Sequence, residues 1–258
     1  MTVKKPIKFD FNFMMEDVIG SSSGFDRAEI DRMVPDVSKA CAVLAKFITS
    51  RDLNFANLPS LAGKLGVLKA VKEHAKFISE KFENFVLLGI GGSALGPACL
   101  IEALNPPYSQ IFSKGKRIFI CDNIDPRSFE ELLEELDFGK TVFNVVSKSG
   151  GTVETLAQFL VVRDELIKRV GEKSYRDHLI ITTDPKEGVL RKISNEEKIR
   201  SLEIPSDIVG RFSIFTPVGL LPAAVAGIDI DELLEGARFG MEKFVKPNLW
   251  ENPAAQAL

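Results

Sequence analysis

Two short stretches of this chain put small residues and hydroxyls where a backbone can wrap around an anion. The more specific is Ser147-Lys148-Ser149-Gly150-Gly151-Thr152, with three hydroxyls and two glycines in six residues. Hydroxyls and free backbone amides can together donate to the outer oxygens of a phosphate monoester, and the glycines let the loop curl around it. Such a loop holds a dianion without a metal. Its glycines lack the G-x-x-x-x-G-K-[ST] spacing of a nucleotide P-loop, so a small phosphate is the better fit. The plainer alternative is that Ser149 or Thr152 caps a helix and Lys148 is a solvated charge. One cap uses one hydroxyl, however, and this loop has three.

The second stretch is Gly89-Ile90-Gly91-Gly92-Ser93-Ala94-Leu95-Gly96, where glycines permit close backbone approach and Ser93 adds a hydroxyl. Gly89, Gly91 and Ala94 also satisfy a loose G-x-G-x-x-A pattern, which keeps a nicotinamide or flavin enzyme open as a reading. The acidic residue that pattern requires about 20 positions on is absent, the nearest candidate being the later Asp122. A tight strand-to-helix turn with no ligand is the structural alternative. His74 and His178 have no carboxylate or nucleophile near them in sequence and read as structural. Cys41, Cys99 and Cys121 are far apart and form no C-x-x-C pair, so neither a disulfide framework nor a metal site is indicated.

The elements around the loops explain why they would point outward. Short apolar runs at Phe85 to Ile90, Ile118 to Cys121, Val142 to Val146 and Leu179 to Thr182 are too continuous for exposed antiparallel strands, and Ile199 to Ile204 offers a fifth. Helical segments lie between them, around Pro97 to Ala103, Phe129 to Leu136 and Glu154 to Lys168. This alternation predicts an α/β fold, a doubly wound parallel five-stranded sheet flanked by helices. In such a sheet ligands bind beyond the carboxyl ends of the strands, where both loops fall. A helical amino-terminal segment precedes the sheet. One apolar face runs through Val37, Ala40, Cys41, Leu44, Ala45, Phe47 and Ile48, and another through Leu61, Leu65, Leu68, Val71, Ala75 and Ile78, with Lys64 among the polar residues opposite.

The composition is that of a globular protein, with 45% hydrophobic and 27% charged residues in 258. A net charge of -3 and no basic tract with interleaved aromatics exclude nucleic acid as a partner. No run reaches the roughly 18 to 20 apolar residues that span a bilayer, and Met1 to Asp17 lacks the apolar core of a signal peptide. No membrane association and a cytoplasmic location are the expectation. At the other end, Asn252-Pro253 reads as a helix start with only five residues after it, against a mean helix of about 11 to 12, so the sequence is expected to stop just after a helix begins.

Gly-Ile-Gly-Gly-Ser-Ala-Leu-Gly-Pro at 89 to 97 and Ser-Lys-Ser-Gly-Gly-Thr-Val-Glu-Thr at 147 to 155 resemble the sugar isomerase (SIS) domain of phosphoglucose isomerases. Gly210-Arg211-Phe212-Ser213, followed by Thr216-Pro217-Val218-Gly219-Leu220-Leu221-Pro222-Ala223, is similar to a second signature of that family. The resemblance covers roughly residues 35 to 258. It implies a domain order of 1–70 as the helical segment, 71–225 as the SIS domain, and 226–258 as a helical linker to a second SIS domain. It also implies interconversion of glucose 6-phosphate and fructose 6-phosphate, with no cofactor and a homodimer at full length.

Carried over residue by residue, Ser147, Ser149 and Thr152 with the amide of Lys148 would hold the 6-phosphate, and Gly92 and Ser93 would face the sugar. Arg211 would stabilise the enediolate, since a fixed guanidinium beside a developing oxyanion lowers the barrier without reorganisation. Glu154 matches a family position too, although a glutamate in a first helical turn also complements the dipole. Gly151 departs from the family, which usually has a threonine there. The glutamate base and the ring-opening histidine and lysine of the family match nothing in this chain, which is therefore expected to bind substrate and barely turn it over. A non-catalytic phosphosugar-sensing module is the competing reading.

Overall fold

The computed structural model describes residues 10–50, 54–63, 66–106 and 116–256. The chain divides into two compact units, residues 60–231 and the described residues of 1–59 with 232–258. Lys64, Leu65 and the last two residues lie outside the described residues.

In the unit built from both ends, α1 (Glu16–Ile19) and the long α2 (Arg27–Thr49) come first. A capping box starts α2, as Asp26 Oδ1 accepts from the Ala28 amide at 3.2 Å and Glu29 Oε2 accepts from the Asp26 amide at 3.1 Å. Only Val37 and Cys41 of the expected α2 face are buried, packed with Leu249 and Ala255, while Phe47 stays 46% exposed. These partners reach only the middle of a 23-residue helix, so spacing alone overstated the face that is covered.

Helix α3 (Asn54–Leu61) leads into the larger unit, where α4 (Val67–Lys81) buries Val71 and Ile78. Five strands follow, β1 (Asn84–Leu88), β2 (Arg117–Cys121), β3 (Thr141–Ser147), β4 (Leu179–Thr183) and β5 (Arg200–Glu203). All pair in parallel in the order β2-β1-β3-β4-β5. The intervening helices are α5 (Leu95–Leu104), α6 (Pro126–Glu135), α7 (Val153–Val170) and α8 (Val189–Glu197). The expected doubly wound five-stranded sheet is therefore present, and all five strand positions match within two residues.

Alternation along the strands builds two cores. Val86, Leu88, Phe143, Val145, Leu179 and Ile181 pack with Phe159, Val162 and Leu166 of α7 and Leu190 of α8. The opposite face, with Phe85, Leu87, Val142, Val146 and Ile180, is equally buried. It belongs to the side of α4, α5 and α9 (Pro217–Val225), and α9 packs against both other helices. The central strands β1 and β3 are wholly buried, as their continuous apolar runs require. Helices α10 (Ile230–Phe244) and α11 (Pro253–Gln256) complete the chain. Asn252 caps α11 as its sequence predicts, with Oδ1 accepting from the amides of Ala254 at 3.0 Å and Ala255 at 3.3 Å. No helix among the described residues is long and apolar enough to cross a membrane.

Candidate functional site

The strand order reverses between β1 and β3, because the chain moves outward from β1 to β2 and then returns to β1's other side. Loops leaving the carboxyl ends of such a pair diverge to opposite faces and open a crevice. The two loops singled out by composition are the ones that leave β1 and β3. They touch at their roots, where a Cβ on Gly89 would fall 3.2 Å from the Val146 carbonyl oxygen and 2.9 Å from the Ser93 Cβ.

The β3 loop is shaped by hydrogen bonds that turn its carbonyls backward. Thr183 Oγ1 donates to the Ser147 carbonyl at 2.7 Å, the Asp184 amide to the Lys148 carbonyl at 3.3 Å, and the Leu190 amide to the Gly150 carbonyl at 3.2 Å. Gly150 has φ +64° and Gly188 has φ +96°, so both need glycine's left-handed freedom. A Cβ on Gly188 would collide with the Ser149 carbonyl oxygen. With the Ser147, Lys148 and Gly150 carbonyls engaged behind, the loop leaves its other side to the crevice. The Ser149 and Thr152 amides have no partner among the described residues.

Thr152 is the N-cap residue of α7, but its hydroxyl caps nothing. Instead Ser147 Oγ and Thr152 Oγ1 lie 2.8 Å apart, so one of their two protons sits in that bond and the other is left to donate outward. The first-turn amides of α7 stay unpaired, and with the positive end of the helix dipole they form an anion site. Ser149 is exposed and its oxygen accepts from the Gly151 amide at 3.3 Å. The Lys148 ammonium turns away from this face and donates to the Ser206 carbonyl at 2.7 Å. Glu154 is half-buried in the first turn of α7.

The β1 loop forms a 3-10 turn, Gly91–Ser93, before α5. Against it lies another, Gly210–Phe212, which carries Arg211. Gly92 permits this contact, since a Cβ there would clash with the Gly210 carbonyl and sit 2.8 Å from the Arg211 amide. Beyond the turn, Ser213 Oγ donates to the Gly210 carbonyl at 2.6 Å, and Thr216 Oγ1 donates to the Ser213 carbonyl at 2.7 Å while capping α9. Pro217 follows at the first helical position. The Arg211 side chain is exposed and has no partner among the described residues.

Gly92, Ser93 and Arg211 are thus brought together, while Ser147, Ser149 and Thr152 share the neighbouring loop. The two histidines are structural: His74 Nδ1 lies 2.8 Å from the Ala70 carbonyl, and buried His178 lies 2.8 Å from the Thr141 carbonyl with its ring edge-on to Phe82. Burial and the nearby Asp122 push the Cys121 thiol up to about 12. Asp122 directly follows β2, so topology puts an acid at a strand end where linear spacing had it too late.

Sequence reading missed the turn between β4 and α8, Asp184-Pro185-Lys186-Glu187-Gly188, that backs the β3 loop. Its Asp-Pro and terminal Gly are a turn signature directly after a strand, which is the signal that was there to find.

Residues 70–257 match the family model for phosphoglucose isomerase. Among curated relatives, glucose-6-phosphate isomerase of Carboxydothermus hydrogenoformans is 42% identical over 255 residues, 97% of this chain and 54% of that protein. The Thermus thermophilus enzyme of the same name is 43% identical over 195 residues, 76% of this chain and 44% of that protein. A crystal structure of a hypothetical protein from Thermus thermophilus superposes with a TM-score of 0.76 at 38% identity, covering 89% of this chain and 53% of the other. That of a glucose-6-phosphate isomerase from Chlamydia trachomatis gives 0.63 at 28% identity, covering 75% and 36%. The chain spans about half the length of the curated relatives it matches, 54% for the first.

Proposed function

The chain belongs to the phosphoglucose isomerase family, and on that premise we propose that it carries the phosphosugar-binding part of an aldose-ketose isomerase interconverting D-glucose 6-phosphate and D-fructose 6-phosphate. The β3 loop carries this reading: it offers three hydroxyls and the unpaired amides at the start of α7, while the Ser147, Lys148 and Gly150 carbonyls are bonded to Thr183, Asp184 and Leu190. A phosphate monoester needs donors for its outer oxygens, and the hydroxyls and free amides of this loop are such donors. Ser147, Ser149 and Thr152, with the amide of Lys148, hold the 6-phosphate. Gly92 and Ser93 meet the sugar, and Glu154, in the first turn of α7, is the further candidate.

Isomerisation moves a proton between C2 and C1 through a cis-enediol, so negative charge develops on the oxygens of those carbons. Arg211, exposed and unengaged, supplies a permanent cation for that charge. The proton itself needs a general base, and opening the ring needs an acid. Both histidines here are held by backbone carbonyls. In line with the family resemblance, the glutamate base and the ring-opening histidine and lysine are assigned to sequence outside this chain, which binds substrate and turns it over barely. The full-length protein acts in the cytoplasm as a homodimer, without a cofactor or nucleic acid.

The test pairs calorimetric binding of fructose 6-phosphate with a dehydrogenase-coupled assay of its conversion, with the Ser147→Ala, Thr152→Ala double variant as control. Binding without turnover is expected, and loss of two hydrogen bonds to a dianion should weaken binding about a hundredfold. Turnover by the wild-type chain that the control lacks would put a general base within these residues. Absence of binding would sink the phosphosugar reading.

A further inference from the structure

Asp184 is a carboxylate placed directly behind a loop read here as an anion site. Coulomb repulsion makes that unfavourable for ligand binding, so its presence calls for another role. Four bonds define it. Its amide donates to the Lys148 carbonyl at 3.3 Å. Its Oδ1 accepts from the amides of Lys186 at 2.8 Å and Glu187 at 3.1 Å, closing the turn that presses Gly188 onto the Ser149 carbonyl. Its carbonyl accepts from Nε of the buried Arg191 at 2.8 Å, whose Nη1 reaches Ser201 of β5 at 3.0 Å. Its carboxylate also lies near enough to Ser206 and to the Lys148 charge for both to draw its pKa down. Desolvation pulls this carboxyl upward, but the Lys186 amide, the Ser206 hydroxyl, the Glu187 amide and Lys148 together hold it below its usual range.

Ser206 is where these bonds meet the rest of the site. Its carbonyl receives the Lys148 ammonium at 2.7 Å, and the segment runs on through a Pro205–Ile208 turn, anchored by buried Ile208, into the 3-10 turn of Arg211. On its far side that turn is wedged against Gly92. The guanidinium is thus carried on a turn fixed at both ends, and one of those ends is tied to the phosphate loop through Lys148, Asp184 and Ser206.

We propose that Asp184 is a positioning residue: it sets the separation between the phosphate loop and Arg211, so that a ligand anchored by its phosphate presents its far end to the guanidinium. This rests on the phosphosugar reading. It assigns Lys148's side chain to the same clasp and leaves only its amide to the ligand.

The experiment compares two probes on the whole chain by calorimetry: inorganic phosphate, and 5-phosphoarabinonate, whose carboxylate mimics an enediolate. The ratio of their affinities reports Arg211 separately from the loop. Asp184→Asn keeps the Oδ1 acceptor for the two amides while removing the charge that faces Lys148. It should lower the ratio about tenfold, as Arg211→Ala does, with no further loss in the double variant. Phosphate affinity should change by less than about threefold, because the backbone bonds that shape the loop remain. Asp184→Glu, with a matched thermal melt, controls for folding and should restore part of the ratio.

An unchanged ratio in Asp184→Asn, or losses that add with Arg211→Ala, would overturn the assignment. So would equal weakening of both probes, which would mean that Asp184 only supports the loop. Failure of the wild-type chain to bind either probe would instead remove the phosphosugar reading beneath it.

Discussion

At the scale of single residues, the glycines of the β3 loop are not interchangeable. Gly150 and Gly188 are held in left-handed backbone conformations against neighbouring main chain. Gly151 is not: its φ is ordinary, and the nearest atom to an added Cβ would be the Ser149 carbonyl oxygen at 4.0 Å. The position where the family usually has a hydroxyl therefore has room for one. Gly151→Ser should fold like the parent and bind inorganic phosphate about three- to tenfold more tightly by calorimetry. Unchanged affinity would mean that the hydroxyl at this position faces away from the anion. Ser147 and Thr152 are the opposite case, since each hydroxyl is fixed by the other and truncating either leaves its partner free to rotate.

At the scale of elements, the helices that frame the loop are joined by one polar cluster, between the middle of α7 and the end of α8. Glu197 at the end of α8 receives Arg163 of α7 through two nitrogens, at 2.9 and 3.2 Å, and the Tyr175 hydroxyl at 2.5 Å. Burial pushes the Glu197 carboxyl up, but hydrogen bonds from Arg163 and Tyr175 and the charges of Arg163 and Arg176 outweigh it and hold the group below its usual range. A depressed folded-state pKa gives stability that is present above the unfolded value and lost as pH falls through the folded one. Glu197→Gln should therefore cost about 1–2 kcal/mol at neutral pH, read from urea unfolding, with the gap closing in acid below the carboxylate range. A gap that persists there would assign the loss to packing.

Elements were also where the sequence was most readable. Short, mostly apolar runs such as Val142 to Val146 pointed to buried strands, and the glycines and hydroxyls after Leu88 and Val146 marked the crevice. The β4 turn was harder to see, because its contribution is made by the amides of Asp184 and Leu190, and main-chain donors leave no mark on residue type. The same holds for the Lys148 ammonium. Its partner Ser206 is 58 residues away, and only the pairing of β4 with β5 brings the segments together.

At the scale of the molecule, every residue assigned to the site lies within residues 60–231, one of the two compact units. Residues 60–231 expressed alone should bind fructose 6-phosphate within about threefold of the whole chain. Ligand at about a hundredfold excess over its dissociation constant should raise the melting temperature by several degrees. A thermal-shift titration checks both, and a unit that folds but gains nothing from ligand would show that the remaining residues complete the site. The three backward-bonded carbonyls of the β3 loop, those of Ser147, Lys148 and Gly150, have a consequence in time as well as in affinity. A receptor already in its bound shape has no slow rearrangement to wait for, so association in a stopped-flow mixer should be a single exponential whose rate climbs linearly with phosphosugar concentration and shows no plateau.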